Sequence, residues 1–292
     1  MLEGIIVKGI GGFYYVKTKN GIFECRARGL FREEKLVPTV GDRVKIRISP
    51  EDNTGYIKEI KPRESQLLRP PVANITQTII IMSIKEPNIN LWLLDRFLVM
   101  AEFEGLNIHV CINKVDLERG DKVKEINNIY SKAGYSIINT SIIDNKGIDE
   151  LREKLKNNIT VFAGPSGVGK SSLLNKIHPG LNLKTGDISR KTTRGKHTTR
   201  HVELIEIDSN SYVLDSPGFS SLDLSFIERE EDLGFYFKEI KEYSGDCKFI
   251  SCVHYKEPDC EVKRQLEKGN ISNSRYENYL NFLDEIKSIR RY

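Results

Sequence analysis

Residues 164–171 read GPSGVGKS, which fits the spacing G-x-x-x-x-G-K-[ST]. Glycines let the backbone wrap close to a phosphate, and successive N–H groups with a helix N-terminus then face the anion. The apolar run ITVFA before the motif and the run KSSLLNKI after it supply the strand and helix this requires. Gly164, Pro165, Ser166, Gly167, Val168 and Gly169 are thus expected to form the cradle. Lys170 should reach the terminal phosphates, and Ser171, followed by Ser172, should hold Mg²⁺. The motif specifies a nucleoside triphosphate and leaves the base open.

Residues 113–116 read NKVD at the end of the apolar run IHVCIN. An aspartate there, Asp116, can accept two hydrogen bonds from the ring N–H and exocyclic amine of guanine, a donor pair adenine lacks. Asn113 and Lys114 belong to the same base-side loop. Taken singly, N-K-x-D is a weak signal. It gains weight from Thr140-Ser141 at the end of the next strand, where a backbone contact to the guanine oxygen is expected. Residues 215–218 read DSPG after the run YVL. Asp215 is expected to hold Mg²⁺ through water, and the Gly218 N–H to meet the γ-phosphate.

The order of these motifs is permuted. N-K-x-D comes first, the phosphate loop follows about fifty residues later, and D-x-x-G comes last. A closed set of strands can be cut at another loop without changing its arrangement in space. Between the phosphate loop and D-x-x-G lies GDISRKTTRGKHTTRH, a basic and polar stretch that reads as a switch loop. One of Thr198 or Thr199 should reach Mg²⁺, with Thr199 preferred. The residue after D-x-x-G is Phe219, which cannot orient water. His197, beside the switch threonines, is the candidate for that task.

Cys247, Cys252, His254 and Cys260 form C-x4-C-x-H-x5-C. Three thiolates and one imidazole make a tetrahedral set for Zn²⁺ with no open position, hence one structural zinc per chain. A short terminal region gains folding free energy from such a site. Five cysteines in all, an odd number, with no secretory signal in MLEGIIVKGIGGFYYV, point to reduced thiols in a cytosol.

These residues need elements to position them. Residues 4–60 alternate as five short strands with an Asn20-Gly21 hairpin turn, the pattern of a small OB-type barrel. Thirteen Lys/Arg against nine Asp/Glu in residues 1–68 account for the net charge of +4. Arg26, Arg28, Arg32, Lys45 and Arg47, with Phe13, Tyr14 and Tyr15, are candidates for an RNA-binding face. KPRESQLLRPPVAN reads as a linker. Strands and helices then alternate from residue 77 to residue 218, as in a mostly parallel, doubly wound sheet. The rest is helical and charged. No run approaches the 18 apolar residues of a membrane span. The predicted class is multidomain α/β. Residues 1–68 form an OB-fold RNA-binding domain, 69–225 a circularly permuted P-loop GTPase domain, and 226–292 a helical zinc-binding domain.

The combination resembles the RsgA/YjeQ family, the small-subunit-dependent ribosomal GTPases of bacteria. RGKHTT (194–199) and DSPGF (215–219) are especially similar. The resemblance implies a cytoplasmic, monomeric GTP hydrolase that acts late in small-subunit assembly and touches ribosomal RNA. It also implies stimulation by that subunit and supports His197, with Lys170 and Thr199, as catalytic candidates. Two other readings are a scaffold that binds nucleotide without turnover and a P-loop kinase or ATPase. The intact Lys170, Ser171 and Asp215 oppose the first, and NKVD opposes the second.

Overall fold

The computed structural model describes residues 1–27, 31, 36–50, 54–68, 71–181, 183, 202–214 and 223–289. The chain divides into two compact units. One holds residues 1–77, 149–162 and 171–220, the other 78–148, 163–170 and 221–292.

In the first unit, strands β1 (Leu2–Ile10), β2 (Phe13–Thr18), β3 (Gly21–Ala27), β4 (Arg43–Ile48) and β5 (Gly55–Ile60) close a barrel in the order β1-β2-β3-β5-β4. The period-2 pattern places Ile6, Val16, Cys25, Val44, Ile46 and Ile57 in its interior, all with no exposure. The proline-bearing segment read as a linker is instead a hairpin of β6 (Gln66–Leu68) and β7 (Pro71–Ala73). It is tied to the barrel side by Ala73 N–H donating to the Val40 carbonyl at 2.8 Å. Beside it, Arg63 donates to both oxygens of the fully buried Asp42 at 2.7 and 2.8 Å. The same unit contains β11 (Ile159–Ala163), β12 (Leu204–Asp208) and β13 (Ser211–Leu214), in the order β11-β13-β12. β11 and β13 are parallel, β12 and β13 antiparallel. Helix α3 (Ile148–Leu155) precedes β11 and α4 (Lys170–Ile177) follows the phosphate loop.

In the second unit, β8 (Gln77–Ser83), β9 (Asn107–Asn113) and β10 (Ser136–Thr140) lie in the order β10-β9-β8. β8 is buried on both faces, as its unbroken run QTIIIMS requires. Helices α1 (Leu91–Phe103) and α2 (Lys122–Lys132) alternate with these strands. The parallel register of β9 and β10 sets Asn113 directly beside Thr140 at the carboxyl ends, where α/β sheets place ligands. The C-terminal helices α5 (Lys238–Ser244), α6 (Glu261–Glu267) and α7 (Asn273–Ile289) share one core. Phe237, Ile240, Val262, Tyr279, Phe282, Leu283 and Ile286 fill it together with Val99 of α1. Among the described residues no helix is long and apolar enough to cross a membrane.

Candidate nucleotide site and metal centre

The phosphate loop leaves the carboxyl end of β11 through Gly164, whose φ of +130° only glycine adopts freely. A Cβ there would meet the Ile81 carbonyl oxygen at 2.1 Å, so β8 approaches as closely as a glycine permits. A Cβ on Gly169 (φ +97°) would lie 2.5 Å from Asn113 Nδ2. The glycines therefore serve two purposes, curving the backbone and admitting the base-side loop against it. Lys170 starts α4 at only 6% exposure. Its Nζ donates to the carbonyls of Gly164 (2.8 Å) and Pro165 (2.6 Å). Burial pushes its ammonium down to about 8. A phosphate would favour the charged form and draw the lysine off these carbonyls. Ser171 is buried and Ser166 and Gly167 are exposed, with Val168 buried beneath them.

The base-side loop is pinned to the phosphate loop by its own first two residues. Asn113, 1% exposed, donates from Nδ2 to the Val168 carbonyl at 2.8 Å and accepts from Thr140 Oγ1 at 2.9 Å. Its side chain thus joins three segments. Lys114 adopts a left-handed backbone (φ +60°) and donates from Nζ to the carbonyls of Gly167, at 3.0 Å, and Glu86. These contacts leave Asp116, half-buried in the short 3-10 turn Val115–Leu117, with a carboxylate that has no hydrogen-bond partner among the described residues. At the end of β10 the Ser141 N–H donates to the Lys146 carbonyl at 3.0 Å, and Ser141 Oγ accepts from the Asp144 N–H at 3.0 Å. Ser141 shapes this loop from within, and its own amide is committed there. His197, Thr198, Thr199, Asp215, Gly218 and Phe219 lie outside the described residues.

The four candidate metal ligands converge. Their donor atoms all lie within 4.8 Å of one another. Cys247 Sγ and Cys260 Sγ are 3.8 Å apart, and each is 3.5 Å from His254 Nδ1. Bonds of about 2.3 Å to sulfur and about 2.0–2.1 Å to nitrogen set tetrahedral corners about 3.5–3.8 Å apart, so Cys247, His254 and Cys260 stand as three corners of such a site with Cys252 beside them. Burial pushes the Cys252 thiol up to about 12 and the Cys260 thiol in the same direction. It pushes the His254 imidazole down, toward the neutral form that ligates. Only a bound cation would make this crowd of thiols favourable as thiolates. The loop is held by outer contacts. Tyr276 and Tyr279 of α7 donate to the carbonyls of His254 (2.6 Å) and Val253 (2.9 Å). Glu257 accepts from the N–H groups of Val253 (3.0 Å) and Tyr255 (2.8 Å).

Comparison with known proteins agrees with this geometry. Residues 60–225 match the family model described as RsgA GTPase, and residues 3–57 the model described as RsgA N-terminal domain. The chain belongs to the RsgA GTPase family. Among its relatives is the small ribosomal subunit biogenesis GTPase RsgA of Alkaliphilus metalliredigens, 48% identical with all of both chains covered. The protein of the same name from Clostridium acetobutylicum is 49% identical, again with both chains fully covered. Of solved structures, YjeQ from Thermotoga maritima superposes with a TM-score of 0.85 at 40% identity, covering 98% of each chain. YloQ, described as a circularly permuted GTPase, gives 0.82 at 40% identity, covering 99% of this chain and 96% of its own. As an RsgA-family member the chain is a circularly permuted GTPase with an N-terminal five-stranded barrel.

Two features of this RsgA-family chain were not read from its motifs. One is a buried charge cluster. Asp95 of α1 accepts from Arg275 Nη1 (2.8 Å), Asn278 Nδ2 (2.6 Å) and Tyr130 Oη (2.8 Å). Arg275 also donates to both oxygens of Glu239 on α5, at 2.6 and 2.9 Å. The other is the state of the barrel face. Arg26 and Arg47 are exposed, and Arg26 stacks over Phe13 at 4.8 Å. Lys45 is paired with Glu59 at 2.8 Å, and Phe13, Tyr14 and Tyr15 are all half-buried. Arg28 and Arg32 lie outside the described residues.

Proposed function

We propose that this chain acts in biogenesis of the small ribosomal subunit, binding that subunit and its RNA and hydrolysing GTP to GDP and phosphate with stimulation by it. The names carried by its full-length relatives support the process. The observation that carries the chemistry is the pinning of two loops. Asn113 and Lys114 hold the phosphate loop while Asp116 stays free to accept from guanine.

In this reading the backbone of residues 164–169 cradles the phosphates, with Ser172 in the first turn of α4. Lys170 exchanges its two carbonyl partners for phosphate oxygens and neutralises charge that grows on them. Ser171 and Thr199 (or Thr198), with Asp215 through water, would hold Mg²⁺, which supplies further charge neutralisation when bound. The Gly218 N–H meets the γ-phosphate. Water attacks the γ-phosphorus, the bond to the β–γ bridging oxygen breaks with its electron pair going to GDP, and the water proton passes to the departing phosphate. His197 orients that water, because Phe219 cannot. Ser141 keeps its loop in shape at the base edge.

Residues 1–68 act as the RNA-binding barrel, 69–225 as the GTPase domain and 226–292 as a domain stabilised by one structural zinc on Cys247, Cys252, His254 and Cys260. The protein works as a cytoplasmic monomer. Co-sedimentation with purified small subunits tests the partner. A non-hydrolysable GTP analogue should carry the protein into the small-subunit pellet more than GDP does. Pelleting with large subunits to the same extent would reject the assignment.

A further inference from the structure

The segment SIKEPNIN, residues 83–90, joins β8 to α1 and belongs to none of the motifs above. Its contacts fall at the junction of the two nucleotide loops. Ser83, 1% exposed, donates from Oγ to the Pro87 carbonyl at 2.7 Å. The Ile84 N–H donates to the Asn113 carbonyl at 3.0 Å, and the Ile89 N–H returns to the Ile84 carbonyl at 3.3 Å. Asn90 then caps α1 by accepting from the Leu93 N–H at 3.0 Å. The turn is thereby closed on itself at Ser83 and hung on the first residue of NKVD.

It presents two groups. The Glu86 carbonyl, on a backbone in the left-handed region (φ +54°), accepts from Lys114 Nζ. The Pro87 ring lies against the phosphate loop, its Cδ 3.5 Å from where a Cβ on Gly167 would sit. Lys114 spans the gap, with its second bond on the Gly167 carbonyl. A left-handed glutamate is unfavourable by itself and persists only where its surroundings hold it. Within this turn two side chains do so: the Ser83 hydroxyl closes it on the Pro87 carbonyl, and Lys85 Nζ donates to the Leu117 carbonyl at 3.0 Å and pairs with Glu118 at 3.3 Å.

We propose that Ser83 is a positioning residue for nucleotide retention, closing the 83–89 turn that seats Lys114 against the phosphate loop. The proposal rests on the nucleotide site described above. Without the hydroxyl, the Pro87 carbonyl loses its donor and the turn relaxes. Lys114 then keeps one anchor in place of two. Asp116 is untouched, so base discrimination survives while bound nucleotide leaves faster.

The test is the dissociation rate of a fluorescent GDP from the full-length protein, measured at a temperature where each variant is folded. Ser83→Ala should raise the rate roughly fivefold, the usual worth of one hydrogen bond, while the preference for GDP over ADP stays at the wild-type ratio. Ser83→Thr, which keeps the hydroxyl, should restore the rate to within about twofold. Ser131→Ala on α2 loses a comparable hydroxyl-to-carbonyl bond, 2.5 Å to Asn127, away from the site and should change nothing. Should Ser83→Ala fail to fold, Ser83→Cys, a weaker donor of similar size, should fall between wild type and the expected fivefold. A wild-type rate in Ser83→Ala, or in Ser83→Cys where that variant is used, would overturn the proposal. So would equal acceleration in Ser83→Ala and Ser83→Thr. Failure of the wild-type protein to bind GDP would instead reject the nucleotide site itself.

Discussion

Asp95 of α1 and Arg275 of α7 form an ion pair of 2.8 Å in which the side chains are 0% and 1% exposed. Burial alone would push the Asp95 carboxyl up, and Arg275 opposes that shift. The three donors aimed at its oxygens, from Arg275, Asn278 and Tyr130, favour the ionised form. Removing one partner of such a cluster leaves an uncompensated buried charge. Arg275→Ala should therefore destabilise the chain by about 3–5 kcal/mol. Denaturant unfolding measures this, and a loss below about 1 kcal/mol would show that the cluster is not held as an ion pair.

Asp116→Asn replaces an acceptor with a donor facing the guanine amine. GTP affinity should fall on the order of tenfold or more, since a mispaired polar group costs about 1–3 kcal/mol. Xanthosine triphosphate, with a carbonyl at that position, should gain. Equilibrium titration with both nucleotides decides it, and unchanged GTP affinity would remove Asp116 as the base reader.

Lys170 gives the nucleotide site a pH dependence. In the free protein burial holds its ammonium at about 8, and bound phosphate should raise it. Below pH 8 the lysine is already charged, so binding takes up no proton through it. Above pH 8 binding must recharge it, so affinity falls as pH rises, by up to about tenfold per unit. GDP affinity measured between pH 7 and 9 should show this decline, and Lys170→Met should abolish it. A flat profile in the wild type would contradict the lysine's assigned role.

The loop that carries Cys252 and His254 is tied to α7 through Tyr276 and Tyr279. Purified protein under reducing conditions should contain about one zinc per chain, and Cys252→Ser should lose it. Hydrogen exchange should then accelerate from residue 247 through α7. Zinc retained in Cys252→Ser at the wild-type ratio would reject the four-ligand set.

Much of this architecture was legible in the sequence because its signals are local. The run TIIIMS has strand character on both faces, Asn20-Gly21 dictates a hairpin, and GPSGVGKS carries its own strand and helix. The ligand set of residues 247–260 was legible for the same reason. What escaped depends on distant pairing. Asp95 and Arg275 look like ordinary solvated charges on two amphipathic helices, and only tertiary packing turns them inward. The segment KPRESQLLRPPVAN reads as a linker until Arg63 finds Asp42, twenty-one residues earlier. Asn113 was expected to touch nucleotide, and a motif cannot reveal that its amide also ties Val168 to Thr140.

On the proposed function, GTP turnover by this chain is governed by the small ribosomal subunit. The direct test is the rate of phosphate release from GTP with purified small subunits, with large subunits, and with neither. Turnover alone should be slow, because Phe219 stands where a residue able to orient water would be needed. Small subunits should raise it by tenfold or more, the scale of a positioned proton-handling group, and large subunits should leave it unchanged. Equal rates under all three conditions, or equal stimulation by both subunits, would contradict control by the small subunit.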